Sequence, residues 1–79
     1  MAQIFILYMI EGTVKWFNED KGYGFIRTKT QRKDIFVHMT AVRDSGYDKL
    51  YEKDIVEFEI QEDHLGRERA CNITAYEPL

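Results

Sequence analysis

One cysteine, Cys71, excludes any disulfide within the chain, and two histidines, His38 and His64, offer no zinc-ligand spacing. A lone cysteine fits a reducing compartment better than a secreted one. Helical patterning is scarce as well. No window of about a dozen residues keeps apolar positions at i, i+3, i+4 and i+7, and turn signals interrupt the chain often. There is no internal repeat and no low-complexity tract. MAQIFILYMI is the one candidate targeting segment, and it lacks a basic leader, a small-residue cleavage site and the length to cross a bilayer. A cytoplasmic protein is expected. Nothing resembles a phosphate-cradling glycine loop of the Walker type. No serine, cysteine or carboxylate motif marks His38 as a catalytic base. The chain is therefore expected to bind rather than to catalyse, without metal or cofactor.

What the chain does have is concentrated. Gly12 to Ile26, GTVKWFNEDKGYGFI, holds four aromatic residues, two lysines and three glycines, and DIFVHM, Asp34 to Met39, follows shortly after. Net charge is −3, yet it is unevenly spread. From Gly12 to Arg43 there are seven Lys/Arg against three Asp/Glu, a balance of +4. From Asp44 to Leu79 there are four against ten, a balance of −6, and Glu11 supplies the rest. The aromatic half is the basic half. Aromatic rings beside positive charge suit stacking of nucleobases along a tracked phosphate backbone.

Seventy-nine residues make one small domain with a modest core. Strand patterns run over Ile10 to Asn18, Tyr23 to Thr28, Lys33 to His38, Asp54 to Gln61 and Arg69 to Tyr76. NEDKG, KTQRK, the long RDSGYDKLYEK and EDHLG separate them as turns or loops. Five short strands and no helix predict an all-β fold, a small, closed or nearly closed barrel. In the last strand Cys71, Ile73 and Ala75 alternate together, which predicts a buried Cys71. The acidic run in DIVEFEIQED reads as a solvated strand face, and His64 as a residue of a polar turn.

Alternation puts Tyr23 and Phe25 on one face of KGYGFI and Phe36 and His38 on one face of DIFVHM. If these strands pair, the four rings form one patch, and Gly22 and Gly24 remove bulk that would obstruct a stacked base. The inverse assignment would bury His38 and expose branched aliphatics, against the usual partition. KGYGFI also matches a signature of the RNA-recognition motif. That motif would place it after its partner segment and needs two amphipathic helices, for which there is no room.

In order and spacing, the VKWFN, KGYGFI and DIFVH blocks resemble the cold-shock domain family, and the likeness extends through SGYDKL to ACNI. The resemblance implies an all-β, five-stranded antiparallel OB-fold barrel over 10–77, preceded by an apolar extension over 1–9. It implies binding of single-stranded RNA and DNA, action as an RNA chaperone that melts secondary structure, and regulation of transcription or translation. Trp16, Phe17, Tyr23, Phe25, Phe36, His38 and Tyr47 would stack bases, with Lys15, Asn18 and Lys21 as polar contacts. Strict alternation cannot put Trp16 on one face with both Lys15 and Phe17. Either the first strand bends or one ring belongs mainly to the core, with Trp16 the favoured stacker. Met39 stands where the family usually has phenylalanine; its thioether can pack on a base but has no π-face. The segment before Asp34 is longer and more basic than usual, with Arg27, Lys29, Arg32 and Lys33. HLGRERA lacks the family's common proline, leaving either Arg67 or Arg69 to meet the strand. A protein-interaction module, docking through the aromatic face or the apolar N-terminus, is the competing class. The extension predicts a monomer or a weak homodimer, because Ile4 to Met9 is apolar and uncharged.

Overall fold

The computed structural model describes residues 9–76, so all of the apolar extension but Met9, and with it the expected self-association, lies outside the described residues. Five strands follow in order: β1 (Ile10–Asn18), β2 (Tyr23–Thr28), β3 (Asp34–His38), β4 (Ile55–Glu62) and β5 (Glu68–Tyr76). They close into a barrel in the order β1-β2-β3-β5-β4. Closure leaves no long open edge, which is how so small a sheet protects its backbone hydrogen bonds. Four of the five seams are antiparallel. The one between β3 and β5 is parallel, with Phe36 against Arg69, where an all-antiparallel sheet was expected.

Alternation fills the interior. Val14, Ile26, Ile35, Val37, Val56 and Phe58 are fully buried at inward positions of β1 to β4. Val56 and Phe58 alternate with Glu57 and Glu59 as the sequence pattern requires, though the two glutamates are half-buried rather than fully solvated. Gly12 is needed in β1 because a Cβ there would lie 2.7 Å from both the Arg27 carbonyl oxygen and Ile26 Cγ2.

A short helix, α1 (Met39–Asp44), stands where the pattern predicted none. It has fewer than two turns, too few for a periodic signal, and its cap is an uncommon one. Thr40 N donates to Nδ1 of His38 at 3.2 Å, so a histidine does the work usual for serine or aspartate. Ser45 ends the helix: its hydroxyl donates to Ala41 O at 2.7 Å and accepts from Ile73 N at 2.9 Å. That hydroxyl ties the helix to β5. Gly46 follows at φ 97, the left-handed position that glycine tolerates.

Cys71 is half-buried, not buried. The register of β4 against β5 shifts between Glu57 and Glu59, and Asn72 takes φ 49. This bulge breaks the alternation: Ala70 and Ile73 point inward, and Cys71 sits at the barrel's margin. Burial, and then the charge of Glu59, pushes the Cys71 thiol up from its ordinary value, which leaves it a poor nucleophile.

Candidate nucleic-acid interface

The outward residues of β1, β2 and β3 lie in rows. Tyr23 pairs with His38, Phe25 with Phe36, and Trp16 with Phe25. Those pairings produce one connected set of rings. Trp16 meets Tyr23 at 5.5 Å and Phe25 at 5.3 Å, both edge-on. Tyr23 lies nearly parallel to Phe36 at 5.7 Å, Phe25 meets Phe36 edge-on at 5.9 Å, and His38 is tilted against Phe36 at 6.3 Å. Each such pair contributes about 0.5–1.5 kcal/mol beyond burial, so the rings hold one another in place before any ligand arrives. Trp16 remains 37% exposed, an unusual state for the largest apolar side chain.

A bulge makes this possible. The register slips between Val14 and Trp16, leaving Lys15 without a partner on β2. Val14 points into the core and Trp16 outward, although strict alternation would put them on one face. Phe17, the other candidate of that pair, is half-buried against the core and faces Gly24. Gly24 therefore serves the strands rather than a base. A Cβ there would sit 2.3 Å from Trp16 O and 2.8 Å from Phe17 Cα. Gly22 is in the left-handed region at φ 77, closing the turn between β1 and β2.

The polar candidates divide. Lys15 is exposed and ion-paired with Asp34 at 2.9 Å. Asn18 belongs to the turn: its Oδ1 accepts from Lys21 N at 2.9 Å, and its carbonyl accepts from Gly22 N at 2.8 Å. Lys21 is exposed beside Tyr23's end of the face and forms no ion pair with a described residue. Arg67 is held by Asp63, Nε to Oδ2 at 2.8 Å, and lines a groove of about 290 Å³ with Phe25, Phe36, Glu68 and Arg69. Arg69 is the nearer of the two arginines, its guanidinium 5.8 Å over the Phe36 ring. Both arginines thus reach the face, Arg69 through the Phe36–Arg69 seam that strand patterns do not reveal.

Two candidates stand elsewhere. Met39 is 7% exposed and packs in the core from the first turn of α1. The unforeseen helix turns its side chain inward. Tyr47 is half-buried against the core, and its hydroxyl accepts from Ala75 N at 3.0 Å. It lines a separate groove with Lys49, Tyr51 and Tyr76. Among the described residues, no helix is long and apolar enough to cross a membrane.

Residues 10–76 match the family described as the 'Cold-shock' DNA-binding domain. The chain is 48% identical over 66 residues to the major cold shock protein of Micrococcus luteus, covering 84% of this chain and 97% of that one. It is 50% identical over 66 residues to the cold shock-like protein CspC of Escherichia coli K12, covering 84% and 94%. With the cold shock-like protein CspE of Buchnera aphidicola it shares 51% identity over 57 residues, covering 72% and 83%. A barrel of this topology, an outward aromatic face and a match spanning nearly all the described residues place the chain in the cold-shock domain family of nucleic-acid-binding proteins.

Proposed function

We infer that the aromatic face binds single-stranded RNA and DNA by stacking successive bases on Trp16, Tyr23, Phe25, Phe36 and His38. The connected set of rings, with Trp16 left exposed at its edge, carries this reading. A base offers a π-face to each ring whatever its identity, so such a surface accepts many sequences. In a duplex the same π-faces are stacked on one another and out of reach. Lys21, Arg67 and Arg69 surround the rings with positive charge suited to the backbone.

Function follows by mass action. A protein that binds the open form of a hairpin and not the closed form shifts the equilibrium by RT ln(1 + [L]/Kd). No nucleotide hydrolysis is needed, and the protein works as an RNA chaperone, with regulation of transcription or translation as the downstream effect. A hairpin RNA carrying a fluorophore and a quencher at its ends tests this. Adding the protein without ATP should open the hairpin in proportion to free protein. Binding that leaves the hairpin closed would overturn the chaperone role, and no binding to the opened strand would overturn the interface itself.

A further inference from the structure

The outward face does not end at the rings. β2 carries Tyr23, Phe25 and Arg27 outward in succession, and two residues of strand advance about 7 Å. Arg27 stands one such step beyond Phe25, in a row with Thr13 on β1 and Asp34 on β3. Past it the surface falls into a groove of about 390 Å³ lined by Arg27, Lys29, Arg32, Glu11 and Ile55.

The loop that forms this groove is firmly tied. Thr28 N donates to Lys33 O at 2.8 Å, and Arg32 N donates to Thr28 O at 3.0 Å. The buried hydroxyl of Thr28 accepts from Lys33 N at 2.9 Å, and Lys29 N reaches Glu11 O at 2.9 Å. Side chains on such a loop are presented in advance, which lowers the entropy lost when a ligand is held.

Charge at this end is partly neutralised and partly not. Lys15 pairs with Asp34, Lys29 with Glu11, and Lys33 with Glu68. Arg27 and Arg32 form no ion pair with a described residue. At the opposite end, beyond His38, a groove of about 490 Å³ is lined by Asp44 and Glu59 together with Arg69, so acidic and basic groups mix there. What distinguishes the Arg27 end is two arginines in one groove with no ion-pair partner among the described residues.

We propose that the groove at Arg27 and Arg32 is a backbone-binding extension of the interface. A strand whose bases stack on the rings runs along β2 and leaves over Arg27, where the two arginines hold its phosphodiesters without contacting a base. The extension rests on the single-strand reading of the aromatic face. Lys29 acts differently: it occupies Glu11 and so keeps that carboxylate from the two arginines.

The probe is an oligothymidine of about six nucleotides, within the range one OB fold covers, extended by about four abasic phosphodiester units at its 5′ or its 3′ end. Abasic units add charge without bases and without new stacking registers. Fluorescence of Trp16 reports binding by the full chain and by the double variant Arg27→Gln/Arg32→Gln. One of the two extended probes should bind at least about threefold tighter than the unextended one, with a salt slope steeper by about 0.7 per added contact. The double variant should lose that gain and steepening, yet keep its affinity for the unextended probe within about twofold and melt as the parent does. No gain at either end, a gain the variant retains, or equal losses on all probes would each overturn the proposal. Failure of the unextended oligothymidine to bind the parent chain would instead remove the aromatic-face reading and the extension with it.

Discussion

Trp16 stands opposite Phe25, whereas an unbroken register from the Val14–Ile26 pair would set it against Gly24. This single slip turns the indole out of the core and onto the rings of β2. The bulged residue, Lys15, is left free to pair with Asp34 across β2. A local irregularity of the backbone thus assembles the edge of the aromatic face, as bulges beside binding sites often do.

Phe25→Ala and Phe36→Ala should each weaken single-strand binding by about 1–3 kcal/mol, the usual worth of one stacked base. Both rings face outward, so the variants should keep their barrel. Titration with oligothymidine, alongside circular dichroism, checks this. Losses that merely tracked unfolding would mean the rings belong to the core.

Met39→Ala should behave in the opposite way. Its thioether is enclosed with Val42 at the foot of α1, and truncation of a buried methionine costs about 2–5 kcal/mol. Urea denaturation should show that loss. Affinity measured well below the transition should stay within about twofold of the parent. A variant of full stability and weak binding would put Met39 on the face after all.

Gly24→Ala should damage stability and site together. The added methyl would meet Trp16 O and Phe17 Cα, which are backbone atoms and cannot swing aside. Overpacking of this kind costs about 1–3 kcal/mol. Because the clash parts β1 from β2 beside Trp16, the indole emission should shift as well. Unchanged stability with unchanged emission would show that the strands have room to spare.

Asp63 gives the acid limb of stability a local source. Its carboxylate accepts from Arg67 N at 3.0 Å, from Leu65 N at 2.9 Å and from Arg67 Nε at 2.8 Å. These donors, the Arg67 amide foremost, hold its pKa below the ordinary aspartate value. A depressed folded pKa means the contribution is present above the unfolded value and is lost as pH falls through the folded one. Asp63→Asn should therefore melt earlier at neutral pH, and the gap should close as pH drops through the acid range. A gap constant with pH would show that charge plays no part in the turn.

Strand patterning made most of the barrel legible. The spans of β1 and β2 were readable to the residue, and those of β3, β4 and β5 to within one. Tyr23, Phe25, Phe36 and His38 could be assigned to one face because β2 and β3 alternate without interruption. Where alternation breaks, the reading fails. The bulge at Asn72 moved Cys71 outward, and α1 was too short to show a period, which also hid the burial of Met39. The sequence favours Trp16 over Phe17 as the outward ring, but the bulge at Lys15 that turns it outward is a feature of three-dimensional pairing. Arg69 reached Phe36 through a parallel seam between strands distant in the chain. Tyr47 was carried to the site by resemblance, while its hydroxyl is bound to the end of β5.

The central claim is that exposed rings bind bases a duplex keeps stacked. Quenching of Trp16 fluorescence, measured with one oligonucleotide alone and then annealed to its complement, tests it most directly. The single strand should quench the indole and saturate, with Phe36→Ala shifting the curve to higher concentration. The duplex should leave the emission almost unchanged at the same concentrations. Equal quenching by the duplex, or none by the single strand, would contradict stacking on this face.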